Sequence, residues 1–200
     1  MKVVGALLAA GASRRMGESK QLLKLDDDVC LVRHAAQAMA ATTLEQRCVV
    51  VGTEASEIAR ALAGLDLDLI PSQDPSEGIV ASIRAAVSWA RRQEAHALLL
   101  CVCDQPRLSS AHLERLLVTF KEEHNPTASH YEGAAGVPAV FPAACFAQLA
   151  ELAGDSGAAK ILRKAQNVVS VAWPDGAQDL DTPDDVAAWR GRERLERTVP

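Results

Sequence analysis

Two stretches of this chain combine residue types that handle phosphate and metal. The first is Leu8-Ala9-Ala10-Gly11-Ala12-Ser13-Arg14-Arg15-Met16-Gly17, followed closely by Lys20. Gly11 and Gly17 permit turns and backbone approaches that a side chain would obstruct. Successive N–H groups in such a loop can form an anion-binding concavity. Arg14 and Arg15 offer forked donors and Lys20 a point charge, so the segment suits a polyphosphate. Its spacing matches neither the Walker loop nor the dinucleotide Gly-x-Gly-x-x-Gly pattern. Taken alone, it also reads as a solvated basic turn.

The second stretch is Asp104, directly after the apolar run Ala97-Leu98-Leu99-Leu100-Cys101-Val102-Cys103. In open parallel sheets, ligands bind beyond the carboxyl ends of the strands. A carboxylate there can ligate magnesium, which in turn bridges phosphate oxygens. The alternative is a strand terminator in which Asp104 bonds backbone amides before Pro106. Asp155, between Gly154 and Ser156, and Asp181, with Asp179 two residues before it, are weaker metal candidates. Asp155 also suits a helix cap, and so do Asp181 and Thr182, Thr182 better than Asp181.

Other reactive side chains form no such pattern. His34, His96, His112, His124 and His130 are scattered without metal-ligand spacing, and no Ser/His/Asp nucleophile motif is present. The five cysteines are odd in number and lack a framework spacing, which argues against a disulfide scaffold. Cys101 and Cys103 would share one face of a strand, as buried thiols or as a redox or metal pair. Trp89, Trp173 and Trp189 read as packing residues.

The elements that must position these groups alternate short apolar runs with helical periods, the pattern of an α/β domain with a largely parallel sheet. Strands are expected over 3–8, 47–51, 67–70 and 97–102. Helices are expected over 31–41 and 55–63, through Ile79, Ile83, Val87 and Ala90, and through Leu113, Leu116, Leu117 and Phe120. Residues 122–132 read as polar and turn-rich. A strand over 135–141 carries Pro138, which implies an edge position or a bulge. Helices over 146–152 and 158–164, a strand over 167–172 and a helix over 183–189 complete the pattern. One domain is expected over 1–190, with a charged, frayed tail over 191–200.

Composition limits the function classes. The chain has 200 residues, of which 48% are hydrophobic and 4% aromatic, so its core must come from aliphatic side chains. A net charge of -5 argues against a nucleic-acid surface, although it leaves room for a local basic pocket. No run approaches the roughly 18 apolar residues of a membrane span. The apolar start is followed at once by Arg14, Arg15 and Lys20, which suits a buried strand better than a signal peptide. The expected location is the cytoplasm.

Together these motifs resemble the MobA-like and MocA-like nucleotidyltransferases of molybdenum cofactor, specifically the molybdenum cofactor cytidylyltransferase branch. The glycine loop with Lys20 resembles the opening signature, and Glu77-Gly78-Ile79-Val80-Ala81-Ser82-Ile83-Arg84 the middle motif. Cys103-Asp104-Gln105-Pro106 resembles the metal-binding motif. Tyr131-Glu132-Gly133 through Gly136-Val137-Pro138, then Gly154-Asp155-Ser156-Gly157, resemble the acceptor-side half. Asp179-Leu180-Asp181-Thr182-Pro183-Asp184-Asp185 resembles the closing motif. Ala9-Ala10-Gly11, where guanylyl-transferring relatives carry two glycines, points to cytidine, as does Gln105.

The resemblance implies a three-layer α/β/α sandwich of the nucleotide-diphospho-sugar transferase fold, Rossmann-like, with a mostly parallel sheet. It implies a Mg2+-dependent enzyme that moves CMP from CTP to the terminal phosphate of a molybdopterin-type acceptor and releases pyrophosphate. Leu8, Ala9, Ala10, Gly11, Ser13, Arg14, Arg15 and Lys20 would bind the nucleotide, with Pro71, Ser72 and Ser82 near its base or ribose. Arg15, Lys20 and Asp104 would be catalytic, and Asp104, with Asp155 or Asp181, would hold the metal. The expected partners are CTP or another nucleoside triphosphate, the pterin acceptor, and a molybdoenzyme or its chaperone. Alternatives are guanylyl or sugar-phosphate transfer in the same superfamily, or a non-catalytic chaperone that delivers the cofactor.

Overall fold

The continuous apolar runs fold as buried strands. β1 (Val3–Ala9), β2 (Gln46–Val51), β3 (Asp68–Pro71) and β4 (Ala97–Val102) lie side by side and parallel. The structure, a computed structural model, describes residues 1–11, 19–25, 29–74, 77–154 and 157–198. Three more strands, β5 (Thr127–Tyr131), β6 (Ala134–Pro142) and β7 (Val169–Ala172), complete a sheet in the order β3-β2-β1-β4-β6-β5-β7. Only β6 runs against the rest, because it pairs antiparallel with both β4 and β5 while β7 is parallel to β5.

Alternation along β1 decides which helix covers which face. Val3, Leu7 and Ala9 join the core beneath α1 (Leu31–Ala40), α2 (Ala55–Ala61) and α4 (Ser110–Glu123). Val4, Ala6 and Leu8 join the opposite core beneath α3 (Ile79–Arg92), α5 (Phe146–Ala150) and α6 (Ala159–Lys164). Every residue of β1 is buried. Burying each Val or Leu side chain contributes about 1.5–3 kcal/mol. The result is the expected three-layer sandwich. Among the described residues, no helix is long and apolar enough to cross a membrane.

Four local expectations are refined. The polar stretch 122–132 contains a strand after all, β5, whose Thr127, Ala128 and Ser129 are buried. Burial of its hydroxyls is affordable because they are bonded: Ser129 Oγ donates to Pro138 O at 2.7 Å and Thr127 Oγ1 to Asn125 O at 3.0 Å. Pro138 lies in an interior strand rather than at an edge. It sits where the β5–β6 register shifts, so the bulge, not an edge, accommodates its missing N–H.

Pro71 belongs to β3, one residue beyond the expected end of that strand. At the other end of the chain, α7 (Pro183–Thr198) continues through the positions expected to fray. Its composition there, rich in Arg, Glu and Leu, favours helix. Cys101 and Cys103 lie in one core as free, buried thiols. Burial pushes the Cys103 thiol up to about 12, which leaves it protonated and a poor nucleophile. Trp89, Trp173 and Trp189 are all buried, as packing residues should be.

Candidate active site

The parallel order of β1 to β4 brings their carboxyl ends to one edge of the sheet, and the candidate residues arrive there from separate segments. Ala10 and Gly11 follow β1, Ser72 follows β3 and Asp104 follows β4. Ser82 lies in the first turn of α3, which Gly78 opens with a φ of 67° that favours glycine. Close packing holds this edge together. A Cβ at Gly52, just after β2, would come within 2.9 Å of Ala10 O, so the two loops touch backbone to backbone.

Lys20 anchors the centre. It begins a 3-10 turn (Lys20–Leu22), and its Nζ donates to Asp104 Oδ2 at 2.9 Å and to Asp181 Oδ1 at 2.7 Å. Burial acts against its charge, but the charge of Asp104 and the hydrogen bonds to Asp181 and Asp104 prevail and hold the ammonium well above the ordinary lysine range. The turn is fastened to the glycine loop by Gln21, which is buried and donates from Nε2 to Gly11 O at 2.6 Å.

Asp104 and Asp181 are held by backbone. Leu180 N donates to Asp104 O at 3.0 Å, laying the closing segment against the end of β4. Thr182 and Asp185 then cap α7 reciprocally: Asp185 N donates to Thr182 Oγ1 at 3.3 Å, and Thr182 N to Asp185 Oδ2 at 2.7 Å. Those bonds from Thr182 hold the Asp185 carboxyl below its usual range. Asp181 N also reaches Asp185 Oδ2, at 3.1 Å. Of the two residues expected to compete for the cap, Thr182 takes it, and the Asp181 side chain is left to Lys20.

Carboxylates crowd this edge around Lys20. Asp104 Oδ1 is buried without a hydrogen-bond partner. The Asp179 carboxyl is pushed up to about 7, first by loss of hydration and then by the charges of Asp104 and Asp181. Ser72 Oγ is also buried and unpartnered.

Lys20, Asp104 and Asp181 come together, and Ala10, Gly11, Ser72 and Ser82 line the same edge. Leu8 and Ala9 are buried in β1 and position the loop from beneath. Pro71 is exposed at the end of β3. Ser13, Arg14, Arg15 and Asp155 lie outside the described residues.

Two braces escaped the sequence reading. Gln105 turns inward, donating from Nε2 to Val137 O at 3.2 Å and Gly176 O at 3.3 Å, which ties the metal-motif loop to the reversed half of the sheet. That is a structural task, so its bearing on base choice rests on resemblance alone. Arg84 donates from Nε to Ala150 O at 3.2 Å and from NH2 to Leu152 O at 3.0 Å, and pairs with Glu77. It fastens the start of α3 to the segment approaching Gly154. The only signal for either was membership of a motif.

Known proteins resemble this chain over most of its length. The MobA-like NTP transferase domain matches residues 5–169. Purine catabolism protein PucB of Bacillus subtilis is 30% identical over 194 residues, covering 92% of this chain and 93% of that protein. Molybdenum cofactor guanylyltransferase of Rhodobacter capsulatus is 29% identical over 208 residues, covering 100% of both. Among solved structures, Rv0371c of Mycobacterium tuberculosis H37Rv in complex with manganese superposes with a TM-score of 0.78 at 27% identity, covering 94% of this chain and 97% of that one. The match spans most of the sheet together with Lys20 and Asp104, and the chain belongs to the MobA-like NTP transferase family.

Proposed function

We propose that residues 1–190 act as one transferase domain that moves CMP from CTP to the terminal phosphate of a molybdopterin-type acceptor. The observation that carries this reading is the Lys20 ammonium set between Asp104 and Asp181 at the carboxyl edge of the sheet. An acceptor phosphate oxygen attacks the α-phosphorus in line, the bond to the bridging oxygen breaks, and pyrophosphate leaves. Such transfers need positioning and charge neutralisation more than covalent chemistry from the protein. Lys20, with Arg14 and Arg15 from the glycine loop, stabilises the departing pyrophosphate. The unpartnered Ser72 hydroxyl offers the ribose or base a hydrogen bond.

A divalent cation fits the carboxylates on two observations. Asp104 and Asp181 already converge on one cation, and Asp104 Oδ1 has no other partner. Among the described residues no group of three or more His, Cys, Asp or Glu side chains could hold a metal. Asp104 and Asp181 would therefore supply only part of the coordination, with phosphate oxygens and water completing it, the usual manner of Mg2+. When bound, the metal draws charge from the phosphate oxygens. The manganese in Rv0371c supports a divalent ion in a relative of the same fold.

A second reading, GMP transfer from GTP, is favoured by the name of the Rhodobacter capsulatus relative. Ala9-Ala10-Gly11 supports CTP. Pyrophosphate release with the pterin acceptor, measured with CTP and with GTP, separates the two. Faster release with CTP is expected, and a clear preference for GTP would overturn the choice of base. Tight nucleotide binding without transfer to any pterin acceptor would instead leave a cofactor-delivery protein.

A further inference from the structure

The ammonium of Lys20 lies where a metal would compete for the same oxygens. Of the three side chains, it is the most covered, at 14% exposure against 24% for Asp104 and 43% for Asp181. The second oxygen of Asp104 is buried, so the present arrangement shields it from an arriving cation. The carboxylates are fixed through their backbone, by Leu180 N on Asp104 O and by Asp185 beneath Asp181 N. Lysine, by contrast, carries its charge on a flexible four-carbon stem. Of the three groups, the lysine head has the longest stem on which to shift.

We propose that Lys20 sets the order of loading: its ammonium keeps a bare divalent cation out of the Asp104–Asp181 pair, and the metal enters together with the nucleotide. A cation approaching the pair alone must either displace Lys20 or accept a like charge in contact. A triphosphate changes this balance by giving the ammonium anionic oxygens to move to. The pair then gives up the ammonium at the moment when phosphate can complete the coordination of a metal. Metal and nucleotide affinities are thereby coupled, and the coupling is reciprocal. The role of the triphosphate rests on the nucleotidyl-transfer reading above, whereas the exclusion of bare metal does not.

The test is Mn2+ binding followed by electron paramagnetic resonance on the full chain without nucleotide. Lys20→Met, which keeps the stem and loses the charge, should bind Mn2+ more tightly than the natural chain by about ten-fold or more, equivalent to about 1.4 kcal/mol. Lys20→Gln gives the same comparison if the Met variant does not fold, as judged by circular dichroism. Lys20→Arg should stay as weak as the natural chain. Adding Asp104→Asn to Lys20→Met should abolish the gain, which locates it at this pair. Equal or weaker Mn2+ binding by both Lys20→Met and Lys20→Gln overturns the proposal, even if nucleotidyl transfer is found. Tighter binding by either upholds the exclusion of bare metal, even if no nucleotide proves to be a substrate.

Discussion

The two halves of the sheet bury different kinds of side chain. From β1 to β4 the buried positions are almost wholly aliphatic, and Lys20, Asp104 and Asp181 gather at the carboxyl edge. From β6 to β7 the interior takes in polar groups and satisfies them in series. Arg115 NH2 donates to His112 Nδ1 at 3.0 Å, so His112 carries its proton on Nε2 and donates to Ser129 Oγ at 2.7 Å. Ser129 in turn donates to Pro138 O. His112 stacks on Trp173 with ring centroids 4.5 Å apart, and Tyr131 packs edge-on to the same indole. The adjoining bulge carbonyl, Val137 O, accepts from Tyr131 and Gln105.

The contrast teaches where each half can tolerate an unmet polar group. The aliphatic half gives a rigid base, and at its edge Asp104 Oδ1 and Ser72 Oγ are left unpartnered, as a ligand site requires. The polar half closes most of its own bonds and fixes one packing for the bulged strand. Lesions in the first should therefore show in turnover, and lesions in the second in stability.

Lys20→Ala should give the largest effect, a loss of turnover of about 10²–10³-fold with little change in melting temperature. A melting temperature that fell in step with activity would erase the distinction. Trp173→Ala should do the reverse, costing about 3–5 kcal/mol in urea unfolding while folded protein retains most of its turnover. If instead the variant were stable and inactive, the polar half would be part of the chemistry.

The His112 network gives a smaller, pH-dependent effect. Burial first, and then the charge of Arg115, lower the His112 imidazole from 6.5 to about 4. Its protonation is thus easier in the unfolded chain. The stabilisation is full above pH 6.5 and drains away as pH falls towards about 4. Between pH 7 and 5 the natural chain should lose about 2 kcal/mol more than His112→Phe, measured by urea unfolding at each pH. Equal losses would remove the imidazole from the account. Smallest of all, Thr182→Ala should cost about 1 kcal/mol through the cap of α7. It should also weaken metal binding slightly, because the same turn presents Asp181.

The same division explains what could be read beforehand. Strands such as β1 and β4 are buried on both faces, so they are written as unbroken apolar runs, and Asp104 at the end of one stands out. β5 is written Thr-Ala-Ser-His-Tyr, and its burial depends on partners in other segments that no local pattern reveals. The Lys20–Asp181 contact joins positions 161 residues apart, so motif reading could name both residues without pairing them. Gln105 and Arg84 act through backbone carbonyls, which have no residue type to recognise.

The most direct test of the nucleotidyl-transfer site is pyrophosphate release from CTP and from GTP by the natural chain and by Asp104→Asn, each with a molybdopterin-type acceptor and Mg2+. The site described here predicts acceptor-dependent release by the natural chain, and a loss of about 10²–10³-fold in a variant that melts near the natural temperature. Near-normal release by Asp104→Asn would contradict it.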